Sequence, residues 1–243
     1  MFEAIIFDLD GLLVDSEKCH LEAWNQALKP YDVQLEDFEA AALTDRRDFE
    51  NAELFFRRYN LDTDPISLFQ QRNEIFMEMA EDRIEAMPGA AELVQSLRDN
   101  NFRLALVSAG LRDYIYMITE KLGMEEAFDV ILAGDMVEIW KPNPMPFLAC
   151  AETFALHPTA CLVVEDSRLG IEAARNANMK TICIPGPYTE RWRITGADVV
   201  LNSLDYVNLP TIRSLWTDTD DRSQLQPQPQ LQPDPRYRPY RRW

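Results

Sequence analysis

The sequence predicts an α/β protein whose parallel sheet is interrupted, after the first strand, by a block of helices. Three observations lead there. From residue 90 onward, short β-branched or aliphatic runs alternate with helical patterns, which is the signature of βαβ units. A run of the same kind, Ala4 to Phe7, stands apart at the N-terminal end. Between Gly11 and Gly89 there is no glycine, so that stretch has few low-cost routes to left-handed turns.

In chain order, Ala4 to Phe7 reads as the first strand. The glycine-free stretch then reads as helices over Glu17 to Leu28, about Glu36 to Ala42, Arg46 to Tyr59 and Pro65 to Arg83. Pro65 follows Asp64, an acid at the cap with proline in the first turn. Leu54, Phe55, Leu68, Phe69, Phe76 and Met79 supply apolar faces for packing. Beyond Pro88-Gly89, strands are expected at Leu104 to Val107, Val130 to Leu132, Cys161 to Val164 and Thr181 to Ile184. Helices fall between them at Ala90 to Asp99, Leu111 to Leu122, Pro146 to Phe154 and Leu169 to Ala177. The expected organisation is an α/β core of residues 1–15 and 87–216, a helical insertion of 16–86 and a tail of 217–243. That tail holds five of the 15 prolines, alternates them with glutamine and lacks core-forming periodicity, so it is expected to be disordered or polyproline-like.

Composition narrows the function. Hydrophobic residues make up 47% of the 243, enough to fill a core. The 41 acids against 24 bases give a net charge of -17, which repels nucleic-acid phosphates and anionic lipid; no nucleic-acid or membrane partner is expected. No apolar stretch approaches the ~20 residues of a membrane span. The N-terminus has no signal-peptide pattern. Cys19, Cys150, Cys161 and Cys183 have no CxxC spacing and read as reduced, buried thiols, which favours a cytoplasmic location. With only two histidines, a multi-histidine metal site is excluded.

In open parallel sheets, ligands sit beyond the carboxyl ends of the strands. Asp8-Leu9-Asp10-Gly11 follows the first strand, Ser108-Ala109-Gly110 the second and Glu165-Asp166-Ser167 a later one. Taken singly, each has a bland reading as a turn, a cap or a helix N-terminus. Together they bring four carboxylates and a hydroxyl to one sheet edge. Crowded like charges call for a cation, and Mg²⁺ is the natural oxygen-ligated complement. Lys141, in the segment KPNP, is a second source of positive charge.

Four segments in order, FDLDGLLVDSE, VSAG, KPNP and VVEDSRLGIEAA, give the chain a resemblance to the haloacid-dehalogenase superfamily of aspartyl-phosphate enzymes, over about Met1 to Leu209. The helical insertion is similar to the cap of the branch containing β-phosphoglucomutase and phosphosugar phosphatases. The resemblance implies a Rossmann-like core, with Asp8 as nucleophile and Asp10 as general acid/base. It implies that Ser108 and Lys141 hold the phosphoryl group. Mg²⁺ would be held by Asp8, Asp166 and the Asp10 carbonyl, with Glu165 ligating it or orienting its water. It gives Arg47 and His20 to the substrate from the cap. An acid two residues after the nucleophile favours phosphate chemistry over dehalogenation.

The implied activity is a Mg²⁺-dependent phosphatase acting on a small phosphorylated metabolite, a sugar or polyol phosphate. Two alternatives stay open: a phosphosugar mutase, and a non-catalytic interaction protein whose tail binds a protein partner. Thr44 in place of a cap-loop glycine, Met145 in place of an acid, and no lysine shortly after Ser108 all weigh against the mutase.

Overall fold

The computed structural model describes residues 1–39, 43, 46–189 and 191–217. Its main sheet is built from β1 (Ala4–Phe7), β4 (Arg103–Ser108), β5 (Val130–Ala133), β6 (Cys161–Glu165), β7 (Lys180–Cys183) and β8 (Val199–Val200). Two short strands, β2 (Val14–Asp15) and β3 (Glu85–Ala86), form a separate antiparallel pair. The main sheet is parallel throughout, in the order β5-β4-β1-β6-β7-β8. β1 is central, with Ile6 paired to Ala105 on one side and Val163 on the other.

Alternation along each strand divides the core in two, because successive side chains point to opposite faces. Ile5, Phe7, Leu104, Leu106, Leu162 and Val164 join one apolar cluster, while Ala4, Ile6, Ala105, Val107 and Val163 join the other. Helices α4 (Ala90–Asp99), α5 (Arg112–Lys121) and α8 (Leu209–Thr217) cover the first face, through residues such as Leu93, Ile115 and Ile212. Helices α6 (Met145–Thr153) and α7 (Arg168–Asn176) cover the second with Phe147, Cys150 and Ala173. A sheet covered on both sides needs near-continuous apolar strands, and β1 is fully buried along its length.

Between β2 and β3 lie α1 (Glu17–Leu28), α2 (Asp48–Tyr59) and α3 (Pro65–Arg83). Leu21, Trp24, Ala52, Phe55 and Leu68 form a cluster of their own, with the Trp24 and Phe55 rings edge-on at 5.0 Å. The opposite faces of α1 and α3 present Cys19, Ala23, Phe76 and Ala80 to the main core. Asp64 caps α3 by accepting from the backbone N–H groups of Ile66 and Ser67, as the sequence implied. β2 and β3 pair Val14 with Ala86, so the outgoing and returning chains cross side by side.

Several expectations are corrected. The helix expected from Arg46 begins at Asp48, because Arg47 is extended (φ −66°, ψ 145°). Of the helix expected near 36–42, Asp37–Glu39 is a single 3-10 turn, and residues 40–42 lie outside the described residues. Leu54 is 40% exposed and takes no part in the packing face. All four cysteines are free and buried, as expected. Among the described residues no helix is long and apolar enough to cross a membrane. Thr44 and the tail beyond Thr217 lie outside the described residues.

Candidate active site

The ends of β1, β4 and β6 bring Asp8, Asp10, Ser108, Glu165 and Asp166 to one edge. Asp8 continues the sheet by donating its N–H to Val164 O at 3.1 Å. The backbone then turns at Gly11 (φ 77°), where a Cβ would meet Asp166 Oδ2 at 2.7 Å. Only glycine suits both the conformation and that approach.

Lys141 enters from the loop between β5 and α6. Its Nζ donates to Asp8 Oδ1 at 2.5 Å, Glu165 Oε1 at 2.6 Å and Val107 O at 3.2 Å, using all three ammonium protons. Burial would lower the Lys141 pKa, but the facing carboxylates of Asp8 and Glu165 outweigh it, and the ammonium is held well above its ordinary value. Burial pushes Asp8 up to about 7, with Glu165 and Asp10 adding to the rise and Lys141 pulling against it. Asp166 is also pushed up, by burial and then by the charges of Glu165, Asp8 and Glu17.

Glu165 is fully committed. Its Oε1 faces Lys141, while Oε2 accepts from Asp166 N, Ser167 N and Ser167 Oγ, each at 3.0 Å. Ser167 also caps α7 by accepting from Gly170 N. This arrangement makes Glu165 an anchor for Lys141.

Asp10 is surrounded by donors. Ser16 Oγ and Tyr114 Oη each donate to Oδ1 at 2.7 Å, His20 Nε2 lies 3.4 Å from the same oxygen, and Ser108 Oγ donates to Oδ2 at 3.0 Å. Burial alone would raise its pKa, but the His20, Ser16 and Tyr114 hydrogen bonds more than reverse that and bring it to about 2. Asp10 is therefore ionised. His20 stacks on Phe76 at 4.2 Å, and its Nδ1 meets the Arg72 guanidinium, which is itself paired to Asp48 at 2.7 Å. A guanidinium can only donate, so Nδ1 is the acceptor and Nε2 carries the proton facing Asp10.

All but one of the residues singled out in the sequence meet here. Arg47 is held elsewhere, by Glu50 at 2.6 Å and by the carbonyls of Val137 and Glu138 at 3.4 Å. Sequence reasoning gave no role to Ser16, Glu17, Tyr114 or Gly170. Ser16 and Glu17 had a signal, as they lie inside the first motif, and Gly170 lies inside the last; Tyr114 had none. Arg72 stood out in the sequence only as one of five arginines, with Arg46, Arg47, Arg57 and Arg58, on the insertion.

The donor set suits a hard divalent cation. Five acids, Asp8, Asp10, Glu17, Glu165 and Asp166, meet at this edge, where Lys141 pairs with Asp8 and Glu165. Glu17 is 1% exposed and neither of its oxygens finds a hydrogen bond of ordinary geometry. A Cβ on Gly186 would meet Gly11 O at 3.0 Å, Glu17 Oε2 at 3.3 Å and Asp166 Oδ2 at 3.5 Å, so three oxygens surround one point. Among the described residues no three acidic, thiol or imidazole side chains form a ready-made cage. Mg²⁺ does not require one, since it takes one or two carboxylates and keeps several waters. Asp8, Asp10, Trp140, Lys141 and Asp166 line a narrow pocket there, with about 20 Å³ for a water-sized molecule.

Fold and site together define an enzyme of the open parallel α/β class. The chain belongs to the haloacid dehalogenase-like hydrolase family, whose sequence model matches residues 5–184. It is 32% identical over 182 residues to the fructose-1-phosphate phosphatase YqaB of Escherichia coli, covering 74% of this chain and 95% of that protein. It is 32% identical over 214 residues to the protein CbbY of Cereibacter sphaeroides, covering 84% and 93%. The crystal structure of CbbY from Rhodobacter sphaeroides in complex with phosphate superposes with a TM-score of 0.79 at 28% identity, over 86% of this chain and 97% of that one.

Proposed function

We propose that this protein is a Mg²⁺-dependent phosphatase that hydrolyses a sugar or polyol phosphate in the cytoplasm, through a phosphoryl group carried on Asp8. The observation that carries the reading is the sharing of Lys141 between Asp8 and Glu165, beside an Asp10 held ionised by four donors. The similarity to a named fructose-1-phosphate phosphatase and to a CbbY structure holding phosphate supports it.

Asp8, Asp166 and the Asp10 carbonyl would hold Mg²⁺, whose charge lowers the repulsion between the phosphoryl oxygens and an attacking carboxylate. Asp8 attacks phosphorus through the oxygen not taken by Lys141, the bond from phosphorus to the ester oxygen breaks, and Asp10, protonated when the substrate binds, gives its proton to that oxygen so that the alcohol leaves and Asp10 is again a carboxylate. Lys141 and Ser108 then bind the transferred group, while Glu165 fixes Lys141. Asp10 takes a proton from water, which attacks phosphorus and restores the Asp8 carboxylate. The pocket is too tight for a sugar phosphate as it stands, so residues 16–86 act as a cap that swings about the β2–β3 pair to admit it. His20 meets the substrate from α1 and Arg47 from the edge of α2.

Arg47 is the residue on which phosphatase and mutase part. A mutase needs a firm cation for a second phosphate, and here Arg47 is shared with Glu50 and two carbonyls. The convergence of Asp8, Asp10, Lys141 and Asp166 likewise speaks against a passive scaffold.

The test is phosphate release from a panel of sugar and polyol phosphates, with and without Mg²⁺. Asp8→Asn should abolish turnover without unfolding the chain, and EDTA should do the same reversibly. Turnover that survives Asp8→Asn would remove the reading. Rapid conversion of β-glucose 1-phosphate to glucose 6-phosphate with little free phosphate would replace it with the mutase.

A further inference from the structure

We propose that Tyr114 is a positioning residue that aims Asp10 at the water molecule attacking the phosphorylated Asp8. The inference rests on the phosphatase reading above.

Tyr114 sits in the first turn of α5 and is 1% exposed. Its hydroxyl donates to Asp10 Oδ1 at 2.7 Å, across 104 residues of sequence. The ring is fixed on three sides. Phe76 meets it edge-on at 4.9 Å, His20 at 6.3 Å, and the backbone of Gly110 lies beneath it. A Cβ on Gly110 would meet the ring edge at 2.8 Å, so the missing side chain there makes the room that the ring fills.

The donors around Asp10 divide by the element that carries them. Ser16 and His20 belong to the insertion, at the N-cap of α1 and within it. Ser108 and Tyr114 belong to the core, on β4 and α5. Core donors keep their relation to Asp10 when the insertion moves. Ser108 is the hydroxyl assigned to the phosphoryl group, so Tyr114 is the core donor left to Asp10 alone. With Oδ1 engaged by Tyr114, Ser16 and His20, the carboxylate cannot rotate freely, and Oδ2, which accepts from Ser108 Oγ at 3.0 Å, is the oxygen that faces the site once Ser108 turns to the phosphoryl group. A base within hydrogen-bond reach but wrongly rotated takes no proton, so the hydroxyl matters most at the hydrolytic step. In that step water oxygen bonds to phosphorus, the bond from phosphorus to the Asp8 oxygen breaks, and the water proton passes to Asp10. Inorganic phosphate leaves and the Asp8 carboxylate is restored.

Loss of the hydroxyl should therefore slow breakdown of the phosphorylated enzyme and spare its formation. Y114F is compared with wild type on p-nitrophenyl phosphate and on the sugar phosphate that wild type turns over fastest. We expect kcat and KM to fall together by about tenfold or more, with kcat/KM within about twofold of wild type. A burst of p-nitrophenol and acid-stable phosphate on Asp8 should appear. A purely structural role would instead lower the melting temperature and leave kcat unchanged, and this outcome overturns the proposal. A fall in kcat/KM equal to the fall in kcat, at constant KM and with no burst, also overturns it. If Y114F does not fold, Tyr114→Met, which keeps an apolar side chain in the seat without a hydroxyl, is held to the same ratios. If turnover survives Asp8→Asn, the phosphatase reading fails first and this one with it. If turnover needs Asp8 and Y114F behaves as wild type, this one alone fails.

Discussion

A methyl carbon placed on Gly170 would fall 1.8 Å from Glu165 Oε1, inside the volume of the carboxylate that anchors Lys141. Gly170 lies in the first turn of α7, where its backbone N–H also satisfies the Ser167 cap. The glycine is therefore not there for chain flexibility. It lets the helix pass close enough for Glu165 to accept from Ser167 and face Lys141 at once.

Gly170→Ala should drive Glu165 out of place and leave Lys141 paired to Asp8 alone. Turnover should fall at least 100-fold, and the overpacking should cost about 1–3 kcal/mol of stability. Urea melts and steady-state rates on the purified variant measure both. Gly123, which has nothing within 4 Å of an added Cβ, is the control position. Gly123→Ala should leave turnover intact, although its φ of 65° strains an alanine by about 1–2 kcal/mol. Equal activity in the two variants would mean that Glu165 does not govern Lys141.

Lys141→Met removes the only ammonium facing two buried carboxylates. Breaking a buried pair from one side costs about 3–5 kcal/mol, because the remaining charge has no partner. Burial already holds the Asp8 carboxyl above its unfolded value, and without Lys141 the ammonium that pulls it down is gone. The variant's stability should then decline as pH rises through the Asp8 value and recover in acid. Chemical melts at pH 5 and pH 8 read the effect directly. A stability loss that is the same at both pH values would show that the lost contacts are apolar, from the Trp140 and Phe147 rings that lie 5.6 and 5.3 Å from Nζ.

Glu17 carries a pH dependence of its own. Burial first, then the nearby Asp15 charge, pushes it up to about 7, against a weak opposing pull from the Tyr188 amide. Between its unfolded value near 4.5 and about 7, the folded chain holds a proton that the unfolded chain has lost. Its contribution to stability is therefore full below that window and is lost as pH rises across it, by up to about 3 kcal/mol. Glu17→Gln should be more stable than wild type at pH 8, with the gap closing toward pH 4.5. Thermal melts across pH settle the sign; a constant gap would mean that Glu17 stays neutral throughout.

The sequence by itself determined the alternation of strands and helices, the insertion point after the first strand and the arrival of carboxylates at two strand ends. Those properties are local. A buried parallel strand must be apolar over four or five consecutive residues, and a helix repeats every 3.6, so a short window carries the signal. Ala4–Phe7, Ala90–Asp99 and Pro65–Arg83 fall where the pattern put them. Tertiary structure alone decided which polar groups meet. Lys141 reaches Asp8 across 133 residues, Tyr114 reaches Asp10 across 104, and Arg72 reaches His20 across 52. It also paired Arg47, the residue before α2, with Glu50 and with the carbonyls of Val137 and Glu138 on the loop that carries Lys141. A hydrogen bond depends on placing two atoms that the fold brings together to within a few tenths of an ångström. No periodicity within one segment encodes that, so the chemistry-bearing residues could be read from the chain while their partners could not.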